Sequence, residues 1–328
     1  MNTSGCARRA AALRRGVSRR TLLAACAALP LGCADRIAAR NERAPPDTTK
    51  APSDALPGPA QAPHRTETPW LDLPPTPTLP DGGIAGLVPA GDVQLYVAQY
   101  GSGRPVVLLH GGLANANWWG HQVPALAASY RVIAVETRGH GRSTTGTKPH
   151  GYAQYAADVV QVLDRLGIER AAVVGWSDGG ITALAMSMTV PRRLSGMFLY
   201  GANFSTAGAR PGGGNAALMH DYVARCGQEY RVQSPRPAGW GALNGELSRM
   251  WRSSPQYGVV ELGRIRTDAV VSDGAHDEII LPAHTQALAA AIPGARLVWQ
   301  AEMSHFGMLQ DPPAFNAAVI DFLRKLRA

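Results

Sequence analysis

The sequence predicts an α/β fold in which a mostly parallel sheet carries helices on both faces and a small lid is inserted after the sixth strand. Strand-like and helix-like runs alternate from residue 92 onward. Several strand-like runs are continuously apolar, as expected of parallel strands buried on both faces. One of them, residues 171–174, leads directly into residues 175–180, GWSDGG, a strand–turn–helix sequence that places a serine on a tight turn.

The first 40 residues are predicted to be an export signal of the twin-arginine type. They contain eight arginines and one acidic residue, and Arg19-Arg20 stands directly before a 14-residue apolar run, residues 21–34. A charged region followed by a short apolar stretch is typical of a secretory signal, and the paired arginines indicate the route for folded proteins. A membrane-spanning helix would need about 20 residues. We therefore expect export to the periplasm or cell envelope of a bacterium.

The cysteines leave the processing of this leader open. Residues 31–33, LGC, resemble the end of a lipoprotein cleavage box, so a lipid anchor at Cys33 is an alternative to ordinary cleavage and release. The residues before Cys26 fit such a box better, but almost no apolar run precedes them. Cys226 is the only cysteine after the leader, so the mature domain has no partner for a disulfide and Cys226 is predicted to be buried.

The basic charge of the chain belongs almost entirely to the leader. The formal net charge is +8 at pH 7, and the first 40 residues carry +7 of it through eight arginines and one aspartate. The remaining residues therefore carry about +1, which gives no electrostatic argument for a nucleic-acid partner.

The chain after the leader divides into a linker and one large domain. Residues 41–80 hold 11 prolines, and such a stretch cannot bury enough apolar surface to fold. Residues 41–83 are therefore predicted to be a disordered Pro-rich linker. Residues 84–328 are predicted to be a single domain with its own core.

Strands and helices alternate along this domain. Seven strands are predicted, at residues 93–100, 106–109, 131–135, 171–175, 197–200, 269–271 and 297–300. Helices are predicted at residues 121–128, 152–166, 180–189, 285–291 and 314–326. In an open α/β sheet of this kind, the active site lies at the carboxyl ends of the strands.

A long segment, residues 204–255, interrupts the alternation. It is rich in Gly and Pro, with Met, Tyr and Trp interspersed. A long interruption at such a place is typical of a lid over a binding site, and we predict a lid here. The alternative is a surface excursion with a small hydrophobic cluster of its own.

Ser177 is predicted to be a nucleophile. On a strand–turn–helix of this form, the serine hydroxyl projects above the end of the sheet. A hydroxyl becomes a good nucleophile only when a base accepts its proton and an acid orients that base. In this fold order, both groups should follow the serine along the chain, after later strands.

Candidates for both groups stand at the ends of the last two predicted strands. His305 follows the last strand and is the candidate base. Asp273 and Asp277 follow the strand before it, and we prefer Asp277 because it comes after the glycine turn and so lies on the loop. The alternative for both acids is a solvated loop position, which is common for Asp beside Gly. Turn or packing roles are predicted for His110, His140 and His276.

The attacked carbonyl would also need hydrogen-bond donors for the oxyanion that forms on it. One is predicted to be the backbone N–H of Asp178, the residue after the nucleophile. The other is expected from the Gly-rich turn after an early strand, where Gly112 is preferred and Leu113 is the alternative. Substrate contacts are predicted for Asp178, Leu113 and Trp176. The sequence carries no motif typical of a metal or cofactor site, so neither is expected.

Together these motifs resemble the serine hydrolases of the α/β-hydrolase fold, over about residues 92–326. The resemblance rests on five short sequences, HGG at 110–112, RGHGRS at 138–143, GWSDGG at 175–180, GAHD at 274–277 and SHF at 304–306. One departure is Glu136, where the family more often has Asp. The resemblance implies a carboxylic-ester hydrolase that acts on a small-molecule ester through an acyl-enzyme. A perhydrolase, lactonase or carbon–carbon hydrolase with the same triad is the alternative.

A narrower resemblance concerns Asp178. Residues 175–184 and 201–203 are similar to the biphenyl-hydrolase-like, or valacyclovirase-type, branch of that family. In that branch the Asp beside the nucleophile helps to bind the α-amino group of amino-acid esters, which implies the same role for Asp178. The alternative is an acid in the first turn of a helix, favoured there by the helix dipole. A non-catalytic binding protein on this fold is an alternative of another class.

Overall fold

The computed structural model of the protein describes residues 67–326. The predicted export signal, the lipid-anchor candidate Cys33 and linker residues 41–66 lie outside the described residues. Within these, eight strands form one sheet: β1 Ile84–Ala90, β2 Val93–Tyr100, β3 Arg104–Leu109, β4 Tyr130–Val135, β5 Ala171–Trp176, β6 Leu194–Tyr200, β7 Ala269–Gly274 and β8 Arg296–Gln300.

The sheet is mostly parallel, as predicted. The strand order is β1-β2-β4-β3-β5-β6-β7-β8. The strands from β3 to β8 run in one direction, whereas β2 pairs antiparallel with both β1 and β4. The carboxyl ends of the parallel strands therefore meet at one edge of the sheet, and the loops that leave this edge carry the candidate site residues.

Helices cover the sheet. The described residues include α1 Gln122–Ala127, α2 Tyr152–Arg165, α3 Asp178–Thr189, α4 Ala217–Gln233, α5 Trp240–Trp251, α6 Val259–Leu262, α7 Pro282–Ala291, α8 Gly307–Gln310 and α9 Pro312–Lys325. α2 packs against α3, and α1 packs against α9. Each of the five predicted helices overlaps one of these, and none of the helices in residues 67–326 is both long and apolar enough to cross a membrane.

The first strand, β1, is absent from the sequence-based prediction. Most of its residues are exposed, and it contains Gly86 and Pro89. Glycine and proline are uncommon within strands, so these two residues hide the strand in an otherwise apolar run, and β1 lies at the edge of the sheet, where Pro is tolerated. With β1 counted, the segment 204–255 follows the sixth strand, β6.

The inserted segment between β6 and β7 is more regular than its Gly and Pro content indicates. It contains α4 and α5, helices of 17 and 12 residues that the sequence analysis does not predict. In α4, Tyr222, Cys226 and Tyr230 are buried at intervals of four residues. This spacing places them on one helix face, which packs against the domain. Cys226 is buried and free, as expected for a lone thiol.

The last part of the predicted linker is ordered, so its boundary at residue 83 is wrong. Residues 69–71 form a turn of 3-10 helix, and Leu73 and Leu79 pack against the core. The Pro-rich composition correctly indicates that the segment forms almost no regular structure. However, a Pro-rich composition does not exclude an extended segment whose order comes from contacts with side chains of the domain.

Candidate active site

Ser177 occupies the turn between β5 and α3. Its backbone has φ of 53° and ψ of −120°, and its N–H donates to the Tyr200 carbonyl at 2.8 Å. This tight turn requires α3 to begin very close to the sheet. A Cβ on Gly179 would overlap the carbonyl of Leu109 in β3, so glycine is needed there. The sequence GWSDGG therefore forms the strained turn that presents the serine at the sheet edge.

His305 and Asp277 form a buried pair beside this turn. His305 follows β8 and Asp277 follows β7, and His305 Nδ1 lies 2.7 Å from Asp277 Oδ2. Both side chains are at least 95% buried, with exposed fractions of 4% and 1%. Asp277 Oδ1 accepts the backbone N–H groups of Ile279 and Ile280 at 2.6 and 2.7 Å, which fixes the orientation of the carboxylate. Because a carboxylate only accepts, the proton of the His305 ring lies on Nδ1 and leaves Nε2 free to accept another.

In the His305–Asp277 pair, each group favours the ionised form of the other. Burial disfavours the ionised form of His305, but the carboxylates of Asp277, Glu278 and Asp178 together raise its pKa above the ordinary value. Burial also disfavours the ionised form of Asp277, but His305 together with hydrogen bonds from Asp273 and Ile280 lowers the pKa of that carboxyl. The pair is thus suited to hold an imidazolium when His305 accepts a proton.

Asp273, the other candidate acid, is bound by groups other than His305. It is fully buried, and its carboxylate accepts the Gly274 N–H at 2.9 Å and the Thr285 hydroxyl at 2.6 Å. Burial and the adjacent Asp277 raise the pKa of Asp273 well above its ordinary value. Neither acid is solvated, so the alternative of two exposed loop carboxylates is wrong.

Gly201, which follows β6, lets the pair approach the sheet. It has φ of +59°, and a Cβ there would lie 2.9 Å from His305 Nδ1 and 3.4 Å from Asp277 Oδ2. Only glycine combines this backbone conformation with so little space. The sequence signal for such a position is weak, because a glycine after a strand is ordinarily assigned to a turn.

The Gly-rich turn after β3 lies against the start of α3. Gly112 lines the same cavity as Ser177 and Asp178, and its carbonyl accepts the Tyr222 hydroxyl of α4. Leu113 has φ of 69°, and its side chain is buried in the core. The Leu113 side chain is therefore not among the residues that line the cavity, which differs from the prediction that it contacts the substrate. The backbone N–H of Leu113 remains the alternative to that of Gly112 as the second oxyanion donor.

Trp176 is fully buried beneath the site. Its indole Nε1 donates to the His305 carbonyl at 2.8 Å, and its ring stacks on Trp118 with centroids 5.4 Å apart. It also lines the cavity. The residue before the proposed nucleophile thus fixes the backbone of the proposed base.

The Asp178 carboxylate is bound by two side chains from distant segments. Its Oδ1 accepts the Tyr152 hydroxyl at 2.8 Å, and its Oδ2 lies 2.9 Å from Trp251 Nε1. Burial raises the pKa of Asp178 to about 6, although the hydrogen bonds from Trp251 and Tyr152 favour its ionised form. Neither partner is expected from sequence, since the two lie at the start of α2 and the end of α5.

The cavity above these residues has a volume of about 660 Å³. One side is formed by the sheet edge and the other by the inserted segment. Besides Ser177 and its neighbours, the inserted helices contribute Met219, Tyr222, Val223, Asn244, Ser248 and Trp251. The segment 204–255 therefore covers the candidate site, which supports its interpretation as a lid.

Two of the histidines with a predicted turn or packing role, His110 and His140, are buried packing residues, whereas the third, His276, is exposed on a turn. His110 is buried, with Nδ1 bonded to the Gly111 carbonyl at 2.7 Å and Nε2 accepting the Thr137 N–H at 3.1 Å. Burial lowers its pKa to about 4, so it stays neutral. His140 is also buried, and burial lowers its pKa well below the ordinary value. Within residues 67–326, no three His, Cys, Asp or Glu side chains are placed to share a metal ion.

Both the sequence and the structure match known α/β hydrolases. The family described as alpha/beta hydrolase fold matches residues 104–241, which include Ser177. RutD of Caulobacter sp. (strain K31), named as a carbamate hydrolase, is 30% identical over 250 residues, covering 68% of this chain and 91% of that protein. The 2-hydroxy-6-oxo-6-phenylhexa-2,4-dienoate hydrolase of Comamonas testosteroni is 27% identical over 269 residues, covering 71% and 92%.

The fold of this chain also resembles that of a solved structure. Est816, described as an N-acyl homoserine lactone degrading enzyme, superimposes with a TM-score of 0.58 at 28% identity, covering 72% of this chain and all of that one. These three relatives are spanned almost from end to end, over 91%, 92% and 100% of their length. The chain belongs to the α/β-hydrolase fold family.

Proposed function

We propose that the protein is a serine hydrolase that cleaves carboxylic esters through an acyl-enzyme. The observation that carries the proposal is the 2.7 Å contact between His305 Nδ1 and Asp277 Oδ2, in a pair whose His305 lines the same cavity as Ser177. An oriented imidazole near a serine on a strained turn is the arrangement that activates a hydroxyl. Membership of a hydrolase family supports the same conclusion.

In this mechanism the Ser177 hydroxyl oxygen attacks the carbonyl carbon of the ester, and His305 Nε2 accepts the hydroxyl proton. The carbonyl oxygen becomes an oxyanion, which accepts hydrogen bonds from the backbone N–H groups of Gly112 and Asp178. His305 then gives the proton to the leaving alcohol, and the acyl group stays on Ser177. A water molecule attacks this acyl-enzyme with His305 again as the base, which releases the acid and restores the hydroxyl.

A fluorophosphonate probe tests the proposal, because it reacts with an activated serine. We expect wild-type protein to be labelled and Ser177→Ala not to be, while Ser253→Ala, which changes an exposed serine on the lid, is labelled like wild type. His305→Ala should slow labelling by about 10³-fold or more. If the folded wild-type protein is not labelled, the protein is not a serine hydrolase, and a non-catalytic binding protein becomes the better interpretation.

Lactones are the second candidate substrates. A lactone is a cyclic ester, so the same steps open it, and the likeness to Est816 favours this class. The relative named as a carbamate hydrolase adds carbamates to the bonds worth testing. The decisive measurement is kcat/KM on matched acyl esters, lactones and carbamates, with Ser177→Ala as the blank. A clear preference for either of the last two would replace the open-chain ester in our proposal.

The charge preference of the site depends on Asp178. A carboxylate beside Ser177 would attract the amino group of an amino-acid ester, which is the alternative that the narrower resemblance implies. However, its oxygens already accept hydrogen bonds from Tyr152 and Trp251, and its pKa is raised to about 6 by burial. We therefore propose neutral esters as the main class.

Asp178→Asn separates these two classes of substrate. The measurement is the ratio of kcat/KM for a cationic amino-acid ester to that for a neutral ester of the same size. If amino-acid esters are the main substrates, the ratio falls by about tenfold or more in the variant. We expect the ratio to stay within about twofold of wild type, because the carboxylate is already occupied.

We further propose that the enzyme is exported, on the strength of the leader alone. Mass spectrometry of the mature N-terminus tests this. A terminus beyond the apolar run at residues 21–34 supports export, and an acylated Cys33 supports the lipid anchor. An intact leader on protein from the cytosol alone would contradict the proposal.

A further inference from the structure

Residues 69–79, called the strap here, cross the surface between three parts of the candidate site. The strap precedes β1 and contains four prolines. Proline has a fixed φ and no N–H, so the segment loses little entropy on ordering and offers mainly carbonyl acceptors. Side chains of the domain supply the donors for four of these carbonyls, as the contacts described next show.

The first contact is with the loop that carries the proposed acid. The Trp70 ring stacks on His276, with centroids 3.8 Å apart and ring planes 6° from parallel. His276 directly precedes Asp277. Its backbone N–H donates to the Met303 carbonyl at 3.0 Å, which joins this loop to the one that carries His305. The indole therefore covers the junction of the two loops.

The second contact is with the loop that carries the proposed base. Gln310 Nε2 donates to the carbonyls of Trp70 and Asp72, at 3.2 and 2.9 Å. The other atom of the same amide, Oε1, accepts the Ser304 N–H at 2.7 Å. Ser304 directly precedes His305. One side chain thus joins the strap to the backbone next to the imidazole.

The third contact is with the lid. Arg225 of α4 donates to the Pro74 carbonyl and, at 2.8 Å, to the Leu73 carbonyl. Its guanidinium also lies over the Trp118 ring, 6.0 Å from the centroid. One turn earlier on α4, Tyr222 lines the cavity and donates to the Gly112 carbonyl. The strap therefore fixes the position of the lid helix α4, which in turn contacts the Gly-rich turn of the proposed oxyanion hole.

We infer that the strap is a positioning element of the active site, which braces the acid and histidine loops through Trp70 and Gln310 and the lid helix through Arg225. The inference rests on the proposed function, since the roles of Asp277 and His305 come from it. Such bracing matters because a shift of about 1 Å in a reacting group can cost 10²-fold in rate. The residues involved lie outside the cavity, so they would act through the groups that they hold.

The test compares three variants of the full chain. Trp70→Ala removes the stacked ring, Trp70→Phe keeps a ring over His276, and Leu71→Ala changes the next residue, whose side chain is 65% exposed. For a neutral ester, we expect Trp70→Ala to lower kcat by about tenfold with KM within about threefold. Trp70→Phe should recover most of the loss, and Leu71→Ala should stay within about twofold of wild type.

Amide hydrogen exchange gives a second measurement that does not depend on catalysis. In Trp70→Ala, exchange should quicken in residues 275–281 while the central strands stay protected. Arg225→Lys keeps the charge but loses the paired donors, so it should raise KM by about threefold or more and quicken exchange in α4. This variant remains informative if Trp70→Ala does not fold.

Two outcomes overturn the inference. One is Trp70→Ala behaving like Leu71→Ala in both kinetics and exchange. The other is a loss of activity matched only by global unfolding, with no local change in exchange. A wild-type protein that neither hydrolyses esters nor reacts with the fluorophosphonate would overturn the proposed function instead. The exchange experiment would then still decide whether the strap orders these loops.

Discussion

Ser177 and Leu113 are the two non-glycine residues with a positive φ in the described part of the chain, and both stand beside the proposed reacting groups. Holding a non-glycine residue in such a sparsely populated backbone conformation costs on the order of 1–3 kcal/mol. At Ser177, β6 and α3 hold the turn, since the Ser177 N–H donates to Tyr200 and the Ile181 N–H donates to the Ser177 carbonyl. Strain kept at such places by well-packed neighbours is typical of functional sites.

The glycine behind the histidine gives a test at the same scale. Gly201→Ala adds a methyl group 2.9 Å from His305 Nδ1 in a left-handed backbone, whereas Gly212→Ala meets the same backbone strain in open space. We expect both to lose about 1 kcal/mol of stability or somewhat more. Only Gly201→Ala should also lower kcat, by about tenfold or more, because it displaces the imidazole. Equal kcat values in the two variants would show that the contact is unimportant.

The sequence alone predicts those candidate site residues that lie at the ends of strands. Ser177, Asp277 and His305 are each predicted from the position of a loop after an apolar strand, and the structure brings Asp277 and His305 into contact. Sequence reasoning does not predict Tyr152 or Trp251, which bind Asp178 although they lie 26 and 73 residues from it along the chain. Such contacts depend on how α2 and the lid pack, and nothing local encodes them.

At the scale of the element, α3 is the helix on which the site depends. Ten of its twelve residues are buried. It therefore packs on the sheet along nearly its whole length, and its first turn reaches the backbone of β3 at Gly179. The close approach fixes where the helix begins, and with it the position of Ser177 and of the N–H of Asp178.

Two glycines at the second position of a helix test this approach. A Cβ on Gly179 of α3 would overlap the Leu109 carbonyl, while a Cβ on Gly241 of α5 would meet no atom within 4 Å. We expect Gly179→Ala to lower the free energy of unfolding by about 3 kcal/mol or more, because a backbone carbonyl cannot move aside. Gly241→Ala should raise it by up to about 1 kcal/mol. Urea unfolding measures both, and similar values would contradict the close approach.

Elements with a strong apolar pattern are the ones that the sequence predicts. All six residues of β5 are buried, and its apolar run is correspondingly clear. The edge strand β1 contains Gly86 and Pro89, and α4 and α5 lie in a segment rich in Gly and Pro, so these residues obscure the apolar spacing of all three elements. The ordered strap is missed for another reason, since its order comes from donors located elsewhere in the domain.

At the scale of the whole molecule, ionisable groups buried behind the site connect its loops. Arg138 is fully buried and binds both oxygens of Asp158, at 2.6 and 2.8 Å. Glu136 accepts the Ala116 N–H and pairs with Arg142, and burial raises the pKa of this carboxyl to about 7. These groups lie under the turns after β3 and β4, so protonation changes there affect the stability of the domain.

His110 makes the molecule sensitive to acid. Burial lowers its pKa to about 4, whereas an unfolded histidine titrates near 6.5. Between these values the unfolded chain binds the proton and the folded one does not. The contribution to stability is therefore complete above pH 6.5 and falls as the pH is lowered toward 4. At pH 5 the loss for this one group is roughly 2 kcal/mol.

The measurement is the free energy of unfolding in urea at pH 7.5 and pH 5, for wild type and for His110→Asn. Glu136 and Asp178 act in the opposite direction, because their raised pKa values let the folded state bind protons first. The difference between the two proteins isolates His110, since the other groups titrate in both. We expect His110→Asn to lose about 2 kcal/mol less between the two pH values. An identical loss would mean that His110 is accessible to protons in the folded state.

The place where the lid enters the sheet has a consequence for how this protein can change. β6 and β7 are parallel neighbours, with Met197 paired to Ala269 and Tyr200 to Ser272, so the segment 201–268 leaves at the carboxyl end of β6 and returns at the opposite edge of the sheet, where β7 begins. Closing a flexible loop between two fixed anchors costs only about 0.6 kcal/mol more for each doubling of the loop's length. The inner part of this segment, residues 204–255, can therefore differ in length while Ser177, Asp277 and His305 stay on turns and loops outside it.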